Sequence, residues 1–285
     1  MPMRAIGPMF LGDIKITMID DGSFSMPLGM FTGGASADDR AAFRVAHDMA
    51  GDGLTVPLQV MLVERDGHRN LIDTGLGDVT MHGGAPDHGR LIASLAELGL
   101  GPGDIDTVIL THGHPDHIGG LTTEGAATFG NADHYLPEAE LAFWTQSPKR
   151  APVGLRAMIE ECRRHLLPVA HRIKPYEHGH ILAPGITAVA APGHTRAHFA
   201  MRLQSRGESL LNLVDTAVYH ATAMAHPDWT IGADLDKAQA VVTRKRLFAQ
   251  AAESGELIAT AHFPFPGVGR IVRAGSAYSF QSIAE

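Results

Sequence analysis

A single cysteine, Cys162, stands in a chain of 285 residues. No disulfide framework can form within it, and a chain this long buries enough apolar surface to fold without such staples. That usage fits a reducing compartment, and the cytoplasm is the expected location. No run of about 18 uninterrupted apolar residues occurs, so no membrane partner is expected. The opening Met1-Pro2-Met3-Arg4 leads into no apolar stretch before Gly12-Asp13, and no secretory signal is expected. Basic residues are few: 23 Lys and Arg against 31 Asp and Glu give a formal net charge of −8. With no basic run to meet phosphates, nucleic acid is not an expected partner either. Charge blocks, low-complexity tracts and short-period repeats are missing as well. With 45% hydrophobic and 19% charged residues, the composition is that of a globular chain, read as one domain over 1–285. Histidine is what the chain has in excess: 17 residues, many beside Gly, Pro or Asp.

The element pattern alternates along the length. Residues 14–20 predict a strand ending in the turn Asp20-Asp21-Gly22. Residues 23–34, where Phe24, Met26, Leu28, Met30 and Phe31 are interrupted by Gly and Pro, predict an apolar loop. Ser36 and Asp39 have capping-box spacing and open a helix to about residue 50. A hairpin is predicted over 56–65 and 69–73, a helix over 90–98, and a short buried strand over 107–110. Leu155, Met158, Ile159, Cys162 and Leu166 form a helical stripe. Strands at 186–191, 198–204 and 209–214, a helix over 236–254, and strands at 256–261, 269–273 and 277–281 complete the pattern. An α/β sandwich is the predicted class.

Chemistry concentrates in Thr111-His112-Gly113-His114-Pro115-Asp116-His117, directly after the predicted strand 107–110. Alternation points His112 and His114 the same way, and a turn after Pro115 brings Asp116 and His117 to a neighbouring position. Two adjacent metals suit this spacing, with His112 and His114 on one and Asp116 and His117 on the other. Imidazole with carboxylate suits zinc, iron, manganese or cobalt rather than copper(I). Isolated histidines are more often structural. His82 and His88, in a glycine-rich stretch, and His178 and His180, flanking a glycine, are read as loop and turn residues.

The pattern His-x-His-x-Asp-His after a strand resembles the metallo-β-lactamase superfamily, and further motifs of that family follow in order over nearly the whole chain. Leu71-Ile72-Asp73-Thr74-Gly75 resembles its early strand-end motif, in which the aspartate supports the metal loop. Gly193-His194-Thr195 resembles the third metal-binding segment, Val214-Asp215 the strand-end aspartate shared by two metals, and Ala261-His262-Phe263-Pro264 the last histidine. The resemblance implies a four-layer αββα sandwich with two divalent ions per chain, zinc first, with manganese, cobalt or iron as alternatives. It assigns His112, His114 and His194 to one ion, Asp116, His117 and His262 to the other, and Asp215 to both. It gives His198 a supporting role behind the ligands, although Arg196-Ala197 stands where the family usually has Pro-Gly.

Such a site implies hydrolysis. Hydroxide bridging the two ions attacks an ester-like bond, the ions stabilise the developing charge, and Asp116 shuttles a proton to the leaving group. The ligand set, the length and the ending 261–267 look most like the branch of N-acyl-homoserine lactonases and methyl parathion hydrolase-like enzymes. This implies a small lactone or ester substrate, quorum quenching, and accompanying arylesterase or phosphotriesterase activity. Many such lactonases carry a tyrosine three residues after the shared aspartate; here that position is Val218, with Tyr219 next and expected in the wall of the substrate pocket. Trp144 falls where methyl parathion hydrolase-like members place an aromatic wall residue. Phe24, Met26, Leu28, Met30 and Phe31 are the expected apolar lip of the pocket or the interface of a homodimer. An iron-dependent oxidoreductase is the competing class on this fold; retention of both His117 and Asp215 disfavours its one-iron dioxygenases, and the flavin domain of its two-iron members is not expected here.

Overall fold

The computed structural model describes residues 8–80 and 88–283. His82 and Met1-Pro2-Met3-Arg4 lie outside the described residues. Two seven-stranded sheets organise the chain. The first is built from β1 (Met9–Leu11), β2 (Ile14–Pro27), β3 (Gly53–Arg65), β4 (His68–Ile72) and β5 (Thr107–Ile109). After a side hairpin of β6 (Thr122–Thr123) and β7 (Ala126–Ala127), β8 (Asp133–Tyr135) and β9 (Ile173–Lys174) complete it. Strands β1 to β4 are antiparallel neighbours, and β4, β5, β8 and β9 are parallel ones. The second sheet runs in chain order: β10 (Ile181–Ala183), β11 (Ile186–Ala190), β12 (Phe199–Ser205), β13 (Glu208–Asn212), β14 (Leu257–Ala259), β15 (Val268–Ala274) and β16 (Ala277–Ser282). Only β13 and β14 are parallel there, among the described residues.

Strand β3 shows why layers form. Met61 and Val63 enter a core shared with Ile186, Met201 and Leu203 of the second sheet. Val60 and Leu62, pointing the opposite way by the two-residue period, join Leu95 of α2 (Leu91–Glu97) and Ile159 and Cys162 of α5 (Arg156–Leu166). Burial on both faces accounts for the unbroken apolar run 60–63, and each such side chain contributes about 1.5–3 kcal/mol. On the far side, Leu211 and Ile258 pack with Leu247, Phe248 and Ala251 of α7 (Lys237–Ser254) and with Ala223 of α6 (His220–Ala225). The result is the four-layer αββα sandwich expected. No described helix is long and apolar enough to cross a membrane.

One segment departs from its sequence reading. Residues 23–27 are not loop but the continuation of β2, pairing Phe24 with Val56 and Met26 with Leu54. The register shift at Asp20/Gly22 absorbs the Asp-Asp-Gly turn signal as a bulge, so the strand bends and carries on. Only Leu28–Phe31 coils, as a 3-10 turn. Helix α1 (Ala37–Ala46) has the Ser36/Asp39 capping box but stops before residue 50.

This topology gathers the motif residues. Asp73 follows β4, the segment 111–117 follows β5 and opens the short α3 (Pro115–Ile118), His194 follows β11, Asp215 follows β13, and His262 follows β14. The parallel pairs Ile72↔Ile109 and Asn212↔Ala259 bring carboxyl ends of neighbouring strands together, which is where open α/β sheets build their sites.

Candidate metal centre

The metal loop is fixed from behind. Asp73, held at φ 65°, accepts the Thr111 N–H at 2.8 Å, the Thr111 hydroxyl at 2.9 Å and His117 Nδ1–H at 2.9 Å. Because the Thr111 hydroxyl donates to Asp73, its oxygen accepts from His112 Nδ1 at 3.1 Å, leaving His112 Nε2 as a bare lone pair. His194 Nδ1–H donates to Asp234 at 3.0 Å, and His262 Nδ1–H donates to the Pro57 carbonyl at 2.9 Å. These partners set ring orientation and tautomer, and turn four Nε2 atoms inward.

The inward atoms form two groups. His112, His114, His194 and Asp215 make one; Asp116, His117, Asp215 and His262 make the other, each with its ligand atoms within 4.8 Å of one another. In the first, His114 Nδ1 lies 3.1 Å from His112 Nε2 and 2.9 Å from His194 Nε2. Asp215 is divided between them: Oδ2 is 3.1 Å from His194 Nε2, and Oδ1 is 3.2 Å from His117 Nε2 and 3.1 Å from His262 Nε2. Asp116 Oδ2 stands 3.6 Å from His117 Nε2 and 3.5 Å from His262 Nε2. His117 Nε2, His262 Nε2 and Asp215 Oδ1 are buried without a hydrogen-bond partner among the described residues. Buried polar atoms without partners are costly, and converging lone pairs beside one carboxylate are relieved by a cation. Borderline nitrogen and oxygen donors in sets of four fit divalent transition metals.

Without metal, the shared carboxylate dominates the charge balance. Burial opposes a charge on Asp215, yet His262, His117 and His194 around it hold its carboxyl well below the usual range. Burial likewise works against charging His194, but Asp215 and Asp234 outweigh it and raise that imidazole to about 9. His117 and His262 are raised in the same way by Asp215 and Asp116. His112 and His114, desolvated and facing other histidines, are pushed well down.

Other buried groups hold the site that no motif announced. Glu140 of α4 (Glu138–Thr145) accepts N–H groups of Gly113 and Ala197. Cys162 donates its thiol to the Gly113 carbonyl at 3.1 Å. Asp234, which orients His194, lies 40 residues from it in a stretch without ligand spacing. Arg244 donates to the carbonyls of Thr216, Pro227 and Trp229. His198, placed by sequence behind the ligands, donates Nδ1–H to Ala191 and accepts the Asp215 N–H at Nε2; burial pushes its pKa down to about 3. Gly193, at φ 127°, lets His194 approach α7, where a Cβ would sit 2.2 Å from the Ala240 nitrogen.

A cavity of about 400 Å³ opens over both groups, with His114, Asp116, His194, Asp215 and His262 in its floor. Phe24, Met26, Met30 and Phe31 line it, as do Leu155, Met158, Val218, Ile231 and Leu235. Three expected wall or lip residues are elsewhere. Trp144 is fully buried behind His114, its Nε1–H bound to Glu140; that hydrogen bond and the space left by Gly113 draw the indole inward. Leu28 faces the core with Phe43 and Val56. Tyr219 packs on the Phe31 ring at 5.5 Å instead of lining the cavity, because helix α6 begins there. His178 and His180 are exposed, and His88 bridges to Gly22; none of these three lines the cavity.

Fold and donor set together define an αββα protein with a histidine-carboxylate site for divalent metals. A model of the metallo-beta-lactamase superfamily matches residues 56–262, and the chain belongs to that superfamily. It is 28% identical to a probable metallo-hydrolase of Mycobacterium tuberculosis over 59% of each chain, so it spans about three-fifths of that relative's length. Among solved structures, the hydrolase AbOPH of the beta lactamase superfamily superposes with a TM-score of 0.89 at 28% identity, covering 100% of this chain and 99% of that one. AidC, a dizinc quorum-quenching lactonase with a bound product, shares the fold with a TM-score of 0.89 at 24% identity, covering 99% and 98%.

Proposed function

We propose that the protein is a metal-dependent hydrolase with two divalent ions, zinc first, that opens lactones or related esters carrying an apolar tail. One observation carries the reading: two four-residue donor groups share Asp215, one carboxylate oxygen to each, at the floor of an otherwise apolar cavity. Ions held by these residues would supply Lewis acidity toward the scissile group and acidify a water for attack. The chain's own contribution is positional and protonic. Asp73, Asp234 and the Pro57 carbonyl keep the imidazole lone pairs inward, and the cavity walls exclude bulk water and orient the tail. Asp116, with 12% of its side chain exposed against 4% for Asp215, faces the cavity and carries the proton from the attacking water to the leaving oxygen. Both sheets contribute ligands, which supports reading 1–285 as one domain. AidC, which shares the fold, is a quorum-quenching lactonase.

Val218 favours a second reading, an organophosphate or aryl ester hydrolase. Where many lactonases present a tyrosine, an aliphatic side chain lines this cavity. Substrates with good leaving groups need no phenol to assist them. The test is metal content alongside turnover of acyl-homoserine lactones, aryl esters and methyl paraoxon by zinc-, manganese- and cobalt-loaded protein. Two metals with lactone opening support the first reading, and ester or phosphotriester turnover alone supports the second. One iron with no hydrolysis overturns both. Within either, Asp116→Asn lowers kcat about 100-fold or more while one metal equivalent remains; unchanged turnover removes the proton role. A homodimer is proposed as well, through the apolar segment 23–34, where Phe24, Met26 and Met30 are partly exposed; gel filtration at monomer size overturns it.

A further inference from the structure

We propose that Glu140, outside both donor groups, is the positioning residue for the group of His112, His114 and His194, and sets its metal affinity separately from that of the other group. The proposal rests on the two-metal reading above. Glu140 lies in the first turn of α4, and its side chain is fully buried. No ion pair neutralises it among the described residues; three N–H groups do the work. Oε2 accepts from Gly113 at 3.1 Å and from Trp144 Nε1 at 2.7 Å, and Oε1 accepts from Ala197 at 2.8 Å. A buried carboxylate that accepts several N–H groups fixes the position of each donor.

Each donor leads to the same group. Gly113 separates His112 from His114, and Ala197 lies three residues after His194. Trp144 meets the His114 ring edge-on with centroids 5.0 Å apart, and its Cδ1 lies 2.2 Å from where a Gly113 Cβ would be. The glycine therefore lets the loop settle on the indole that Glu140 orients. His117 and His262 have other anchors, Asp73 and the Pro57 carbonyl. One helix thus ties the β5 loop of the first sheet to the β11 loop of the second, and it does so on one side of Asp215 only.

The test counts zinc equivalents and follows their extraction by a chromogenic chelator, with thermal unfolding in parallel. Wild type should hold two equivalents. Glu140→Gln, which turns an amide NH2 toward an N–H donor, should weaken one equivalent roughly 10- to 100-fold and leave the other unchanged. In the Asp116→Asn background, where the first group alone remains intact, adding Glu140→Gln should weaken the remaining zinc by the same factor. If Glu140→Gln fails to fold, Trp144→Phe keeps a ring against His114 and removes one donor, so the same equivalent should weaken by a smaller factor. Equal weakening of both equivalents, or of neither, in a folded variant overturns the role of Glu140. Fewer than two equivalents in wild type overturns the two-metal reading instead, and the proposal with it.

Discussion

His134 illustrates what a single residue can cost. It lies on β8 with no exposed surface, and neither ring nitrogen meets a hydrogen-bond partner in good geometry among the described residues. Burial, with a smaller contribution from Arg172, pushes its pKa down to about 4. A folded-state value below the unfolded one of about 6.5 means that the native chain binds fewer protons between these values. Stability is therefore lost as pH falls from about 6.5 to 4. His134→Leu should leave the urea midpoint at pH 7 equal or higher and flatten its decline toward pH 5; an unchanged slope would show that His134 is not the group responsible. Legibility at this scale divides by sequence distance. Ligands compressed into 112–117 were readable because their spacing is chemical information in itself. Asp234 and Glu140 act over 40 and 27 residues on His194 and Gly113, and no local pattern marks a carboxylate whose partners are supplied by folding.

Elements divide in the same way. Stripes with a clear period, such as 155–166, and strands flanked by turn residues were legible, whereas β2 beyond Gly22 was not, because its order comes from the β3 partner. Trp144 shows the same limit: the resemblance placed it in the pocket wall, but whether it faced the cavity or the core depended on Glu140 and Gly113. Helix α7 reaches the site in a way that periodicity cannot show. Its Arg244, only 2% exposed, binds the carbonyl of Thr216 at 2.9 Å beside the shared Asp215, and the carbonyls of Pro227 at 3.1 Å and Trp229 at 2.6 Å in the segment leading to Asp234. Its Nη2 also lies 3.8 Å from the Asp234 carboxylate. One guanidinium thus braces the residues behind Asp215 and His194 together. Arg244→Met keeps most of the volume but abandons these acceptors, and should cost about 3–5 kcal/mol in chemical denaturation, with weakened zinc retention. Arg244→Lys should recover little, since a single ammonium cannot span the fork. Full stability in Arg244→Met would refute the brace.

Across the whole molecule, metal, protons and stability are linked through Asp215. In the metal-free protein that carboxylate raises the imidazole pKa of His117, His194 and His262, and His194 holds its proton up to about 9. A raised folded-state pKa contributes stability that is complete below the unfolded value of about 6.5 and disappears as pH climbs through 9. A metal ion must displace these protons to reach the same nitrogens, so its apparent affinity rises with pH over this window. The two effects act in one direction: the metal-free chain weakens toward pH 9 while the metal-bound chain gains. The difference in Tm between zinc-loaded and chelator-treated protein should therefore widen from pH 6 to pH 9. Calorimetric titration with zinc in buffers of different ionisation enthalpy should register proton release below pH 9. A Tm difference independent of pH, with no protons released, would mean that the imidazoles are already neutral before the metal arrives, and that Asp215 is balanced by something other than its three histidines.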